Sequence, residues 1–311
     1  MLTLMSRRTA AVGGLSAQIQ IVVQTHAVVL LVIGAVALGF APLFVRLSPA
    51  SPEVTAFWRV ALAGVAFLAV AAAVRPVPVP MAPRWSAPWL VVAAGLAFAA
   101  DVVAMHWSIA LTSVANATVL VNLAPVWVGL MVWAATRIAP GRAWLGSTAV
   151  ALGGIGLMVW GDRDVAPTAG MGEAVGIAAG IFYAVYIVLV KAAARHYGMV
   201  TIMAGSALVS AAAILPFVAG GLSLALPVTG WLVLAVLALG CHAGGQGLVT
   251  LALKHLSAGF VSFLLLVQPV VAFVLGWLVL GEAMTALQLA GAALALGAVL
   301  WVARRGSRGE D

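Results

Sequence analysis

Two charged side chains interrupt runs in which charge is otherwise absent. Asp101 lies in Phe98-Ala99-Ala100-Asp101-Val102-Val103, and Arg59 follows Ala56-Phe57-Trp58. Near the centre of a membrane helix each would cost about 2.5–3.5 kcal/mol on insertion scales. A carboxylate kept at that cost can bind a substrate ammonium or take up a proton, with Arg59 holding its charge. The alternatives are an ion pair that only locks two helices, or an arginine snorkelling to the headgroups. Arg59 sits about 8 Å, and Asp101 about 12 Å, inside the outer ends of their runs at 1.5 Å per residue. A long arginine spans that difference, so the depths predict a pair.

Other polar residues join them as candidates for substrate binding. His106 titrates near working pH and could relay protons. It is five residues from Asp101, about 140° around a helix, so the two do not share a face. Trp58 lies somewhat below the outer surface. Asn122 stands three residues before Pro125, four after Thr118 and six after Asn116. A proline frees a carbonyl one turn earlier, which either a substrate or a neighbouring helix must satisfy. Gln268-Pro269 occupies the matching place later in the chain. Pro125 and Pro269 are therefore hinge candidates around a midplane site. His242 and Gln246 are four apart on one helix face. Tyr183 and Tyr186 are three apart, placed either to stack on a flat substrate or to pack in mid-helix.

Enzyme chemistry has no sequence support. There is no P-loop, no His/Cys/carboxylate set with metal spacing and no redox-cofactor motif. The expectation is no cofactor, no metal and no catalytic residue. Cys241 is the lone cysteine and cannot form an internal disulfide.

The elements that must position these residues are membrane helices. Of 311 residues, 65% are hydrophobic and 7% charged, against about 25% charged in soluble domains. So much apolar surface needs lipid as its solvent. Ten runs have crossing length: 27–46, 54–74, 88–109, 115–135, 143–160, 173–190, 199–219, 230–251, 258–280 and 285–303. The runs are too long, and alternate too little, for strands. Breaker residues separate them, among them Ser48-Pro49, the proline-rich 75–80, Ala139-Pro140-Gly141, 162–168 and Gly220-Gly221.

The chain also reads twice. Trp89-Leu90-Val91-Val92 returns as Trp231-Leu232-Val233-Leu234, and Ala110-Leu111 as Ala252-Leu253. After a two-residue shift, Pro125-Val126 matches Pro269-Val270, Trp133 matches Trp277 and Gly153 matches Gly297. Five runs per copy force the copies into opposite orientations, as in carriers built from inverted repeats. The expected organisation is a cytoplasmic extension 1–26, repeats 27–165 and 170–303, and a cytoplasmic tail 304–311.

Charge sets the orientation. With the N-terminus inside, the inner segments hold Arg7, Arg8, Arg75, Arg84, Arg137, Arg142, Lys191, Arg195, Lys254, Arg304, Arg305 and Arg308. The outer segments hold only Arg46 and Arg163. Both termini are therefore expected in the cytoplasm of a bacterial inner membrane. The net charge of +7 is a topology signal and not a nucleic-acid surface. Most tryptophans fall near the two boundaries as an aromatic belt. Gly172, Gly176 and Gly180, and separately Gly240 and Gly244, form G-x-x-x-G stripes. These can pack helices within one chain or between two copies of a homodimer.

The order of short motifs resembles the drug/metabolite transporter superfamily, in its EamA-type ten-helix branch. The motifs are Ala41-Pro42-Leu43-Phe44-Val45-Arg46, Ala56-Phe57-Trp58-Arg59, Phe98-Ala99-Ala100-Asp101, His106-Trp107-Ser108-Ile109, Asn122-Leu123-Ala124-Pro125, Gln268-Pro269-Val270 and Leu280-Gly281-Glu282. The resemblance covers about 27–303. It implies a cavity lined by helices 1–4 and 6–9, alternating access, and movement of small metabolites, often export of amino acids or related compounds. Partners would then be a small-molecule substrate, lipid and protons. Import or exchange of a nucleotide-like or methyl-donor metabolite fits the same fold. A membrane enzyme acting on lipid-linked compounds fits poorly, because the polar residues straddle the midplane. Such families often carry Gly-Glu at the ends of both helix 9 and helix 4. Here Gly281-Glu282 has Arg137-Ile138 as its counterpart.

Overall fold

The computed structural model describes residues 25–73, 87–138, 141–162, 169–222, 224–256, 260–261, 264–265, 267–282 and 285–306. The first 24 residues of the expected N-terminal extension, the proline-rich 75–80 and the last five residues of the tail lie outside them. The described residues form helices and contain no strand. In chain order these are α1 (Thr25–Leu47), α2 (Pro52–Ala73), α3 (Pro88–Leu111), α4 (Val114–Thr136), α5 (Arg142–Asp162), α6 (Ala169–Ala193), α7 (Met199–Val218), α8 (Val228–Leu253), α9 (Val267–Leu280) and α10 (Ala286–Gly306). Seven of them, α1–α4 and α6–α8, are long and apolar enough to cross a membrane. Residues 304–306, read from sequence as tail, continue α10.

Prolines set several helix starts, where a missing N–H costs nothing. Pro88 opens α3, and Pro42 restarts α1 after a break at Phe40. Pro125 restarts α4 after a break at Asn122–Leu123. There the Leu123 N–H bonds the Leu120 carbonyl at 3.2 Å, and Asn122 Nδ2 donates to the Thr118 carbonyl at 2.9 Å. In α9 the turn before Pro269 tightens the same way, Gln268 N–H to Leu265 carbonyl at 2.9 Å. The matching prolines thus each follow a tightened turn.

The repeat is also written in backbone angles. Among the described residues only Arg137 and Gly281 have positive φ, 59° and 67°. They end α4 and α9 and are 144 residues apart, the spacing of Pro125 and Pro269. Glycine takes this conformation freely, whereas arginine is strained in it.

Packing follows the small residues. α3 lies most extensively on α6, α5 on α10 and α2 on α7. The glycine stripe of α6 is used inside the chain. A Cβ at Gly176 would come within 2.7 Å of Ser108 Oγ on α3, and one at Gly180 within 2.8 Å of the Leu120 carbonyl at the α4 break. Gly34 of α1 meets Gly245 of α8 just as closely. Six of the tryptophans expected in the belt, Trp89, Trp107, Trp133, Trp160, Trp277 and Trp301, are exposed on the outside. An open apolar groove between α2 and α8, lined by Leu62, Val65, Leu232 and Leu239 among others, faces the same surroundings.

Candidate functional site

At the middle of the bundle, residues from four helices meet. α2 gives Arg59, α3 gives Phe98 and Asp101, α6 gives Tyr183 and Tyr186, and α8 gives Cys241, His242 and Gln246. All are buried. The Phe98 ring centroid lies 4.6 Å from that of Tyr186 and 5.0 Å from that of His242. Tyr183 and Tyr186 stack at 6.0 Å, and the Tyr183 hydroxyl donates to Gln246 Oε1 at 3.4 Å. The His242 ring reaches the main chain of Arg59. Asp101 is within electrostatic reach of Arg59 and both tyrosines.

α8 places its two site residues by an unusual device. Val236–Gln246 is wound as a π-helix, a rare form that is frequent at functional sites. Its glycines, Gly240, Gly244 and Gly245, lower the crowding that a wider turn creates. The stretch carries Cys241, His242 and Gln246 inward, while Gly240 and Gly244 face outward. The sequence stripe Gly240/Gly244 is therefore an outer face, and the contact with α1 is made by Gly245.

The expected bridge between Arg59 and Asp101 is not formed. No nitrogen–oxygen approach within 4.0 Å joins them. Arg59 Nη1 instead meets His106 Nε2 at 3.3 Å, and His106 Nδ1 meets the Pro52 carbonyl at 3.1 Å. Depth alone allowed the ion pair; side-chain direction decided against it. His106, wholly buried, has both ring nitrogens engaged.

No hydrogen bond or ring contact between described residues ties Asn122, Gln268 or Trp58 to the polar groups of this cluster. Asn122 is tied to its own helix, as described, and Gln268 Nε2 and Trp58 Nε1 have no hydrogen-bond partner. Trp58 packs edge-on against Trp231 at 5.0 Å. Phe98, Cys241 and Thr250, whose hydroxyl donates to the Gln246 carbonyl at 2.8 Å, were not picked out from sequence as site residues. Phe98 is three residues before Asp101 and Thr250 four after Gln246, so helical spacing could have found them.

A second polar cluster joins the helices where α1 and α3 end. Arg46 Nη2 donates to the Thr112 carbonyl at 2.7 Å and lies 3.7 Å from Glu282 Oε1, just beyond α9. The same carboxylate oxygen accepts the Val114 N–H of α4 at 3.2 Å. Alongside, Ser108 Oγ donates to the Gly172 carbonyl at 2.8 Å and Asn116 Nδ2 to Glu173 Oε1 at 3.5 Å. Elements α1, α3, α4, α6 and α9 are thereby fastened together. At the opposite end Lys191 Nζ of α6 caps α8 through the carbonyls of Leu253 and Leu256, a cation at a helix C-terminus.

A chain whose described residues are helical, with seven helices of crossing length among them and a polar centre, is a multi-pass membrane protein. Comparison supplies the rest. The EamA-like transporter family matches residues 25–160 and again 170–304, so the chain belongs to that family and its two halves are repeats of one unit. Its members are transporters, which gives this chain a general transport role. A solved crystal structure of a protein is similar over 92% of this chain and 99% of that one, with TM-score 0.68 and 19% identity. That likeness concerns the fold alone. No curated protein matches.

Proposed function

We propose that this is a secondary transporter of a bacterial inner membrane that moves a small organic metabolite, an amino acid or related compound, outward by alternating access. The observation that carries the reading is an asymmetry. A buried polar centre draws residues from both repeats, while one end above it is fastened by the Arg46–Glu282 cluster. A carrier needs both a central site and an end that can be shut.

The inverted arrangement is part of the same proposal. Arg46 and Thr112, at the C-terminal ends of α1 and α3, are bonded, so these helices run the same way. Gly34 lies near Leu248 and Val249, and Gly245 near Leu38, so α8 runs against α1. α8 is the repeat counterpart of α3 and by this argument opposes it. α3 packs on α6 as α8 packs on α1, the exchange that a two-fold axis between inverted halves requires. Ten crossings then leave both termini in the cytoplasm and put the Arg46 cluster outside. The breaks before Pro125 and Pro269 serve as hinges.

In this reading Asp101, Arg59, Tyr183, Tyr186, His242 and Gln246 face the substrate. Gln268, Asn122 and Trp58 line its path, and Asp101 is the group able to exchange substrate for a proton. Purified protein in liposomes, loaded with a panel of metabolites, should catalyse counterflow of at least one of them. Asp101→Asn should abolish that flux, and an imposed pH gradient reports coupling. Absence of counterflow for every compound would refute the proposal. A periplasmic reporter signal at either terminus would refute the orientation.

A further inference from the structure

The two charges at the centre are buried, within electrostatic reach of one another and not paired. Arg59 and Asp101 are 3% and 4% exposed. Asp101 Oδ1 has no hydrogen-bond partner, and neither has Arg59 Nε. Gln246 Nε2 and His242 Nδ1 beside them are equally unmatched. Buried polar atoms are nearly always satisfied, so four orphans in one cluster mark a place where something else supplies the partners.

His106 explains why the charges stay apart. The Pro52 carbonyl can only accept, so His106 Nδ1 carries the proton of that bond. In the neutral ring Nε2 then holds a lone pair, and Arg59 Nη1 donates to it. An imidazolium could not accept that bond. The histidine holds the guanidinium by one edge, which leaves Nε without a protein partner.

Ligand charge follows from this geometry. A cationic substrate would satisfy Asp101 and leave Arg59 uncompensated in a dry interior. An anionic one would do the reverse. Only a ligand carrying both signs matches both groups without adding net charge. The surrounding Phe98, Tyr183 and Tyr186 rings offer apolar walls to the rest of the molecule.

We propose that Arg59 and Asp101 are opposite poles of one site whose substrate is a net-neutral zwitterion, with a carboxylate taken by Arg59 and the Gln246 amide and an ammonium taken by Asp101. His106 is the positioning residue that keeps the poles separate. The inference rests on the transporter reading above and narrows its substrate to this charge pattern.

Binding to the full chain in nanodiscs tests it with two matched sets: leucine, 3-methylbutylamine and 4-methylpentanoate; and phenylalanine, 2-phenylethylamine and 3-phenylpropanoate. At least one amino acid should bind, and both of its trimmed analogues should bind about 100-fold more weakly, since each leaves a buried charge unmatched. This comparison needs no variant. Arg59→Met should then erase the advantage of the amino acid over its amine, with the amine binding more tightly once the uncompensated guanidinium is gone. Asp101→Asn should erase its advantage over the acid. His106→Leu should collapse the preference for the carboxylate, and His106→Gln, which still offers an acceptor to Arg59, should keep it. An amine or acid binding as tightly as its amino acid overturns the proposal, as does failure of both amino acids to bind. If counterflow of a cationic, anionic or uncharged metabolite is found and survives Arg59→Met, the transporter reading stands and the zwitterion inference falls.

Discussion

The molecule holds two sets of arginine and carboxylate, built in opposite ways. In the terminal cluster Arg46 and Glu282 are in contact, their side chains are 34% and 20% exposed, and both also bond main chain. At the centre Arg59 and Asp101 are almost wholly buried and make no ion pair. If stability alone placed charges, the order would be reversed, since an unpaired charge costs most where water is absent. The terminal set is a fastening that water can help to open. The central set has buried polar atoms that no protein group satisfies.

Charge exchange separates the two designs, and the largest effect belongs at the centre. Swapping the partners of a simple pair restores it; swapping the poles of a binding site does not. The double variant Arg59→Asp with Asp101→Arg should lose at least about 100-fold in counterflow. The double variant Arg46→Glu with Glu282→Arg should recover most of what either single change loses. A central swap that transports normally would make Arg59 and Asp101 a structural pair and dissolve the contrast.

A middle-sized effect is expected from Glu282→Gln. The amide can still accept the Val114 N–H, but the attraction to Arg46 is gone. Partly exposed ion pairs contribute roughly 0.2–1 kcal/mol, so opening at this end should rise by no more than about five-fold. Cys241, buried at 3% exposure beside the central cluster, is a natural reporter. Its labelling by a membrane-impermeant maleimide added from outside should accelerate in Glu282→Gln. Unchanged labelling would mean that the cluster does not control access. Packing gives a separate control, read in stability and not in access. Gly180→Ala puts a methyl within 2.8 Å of the Leu120 carbonyl and should lower thermal stability by about 1–3 kcal/mol.

Much of this was legible in the sequence, for identifiable reasons. Helices of crossing length follow from composition, and the duplication from matched tryptophans and prolines. The breaks at Asn122 and before Pro269 follow from proline's missing donor. Helical spacing put His242 and Gln246 on one face, and both are buried. What sequence could not give was side-chain direction. Arg59 is within reach of Asp101 by depth, yet it bonds His106, because Pro52 on the same helix fixes the histidine's tautomer from a distance that sequence does not encode. The π-helix of α8 was equally hidden. Three glycines between 240 and 245 permit it, but they read just as well as a packing stripe.

The smallest effect concerns the residues that stand in the place of Gly281 and Glu282 in the first repeat. Arg137 occupies the place of Gly281 and shares its left-handed backbone, and Ile138, in the place of Glu282, is 74% exposed. The repeat has kept the turn and lost the carboxylate, so geometry and charge have parted company at this position. Arg137→Gly removes the steric cost of a side chain at positive φ, partly offset by glycine's greater freedom when unfolded. Thermal unfolding in detergent should show a gain of about 0.5–1 kcal/mol, with counterflow unchanged. A loss of transport would assign the Arg137 guanidinium a part in shutting that end, and the terminal cluster at Arg46 and Glu282 would then have a partner across the membrane built from a single charge.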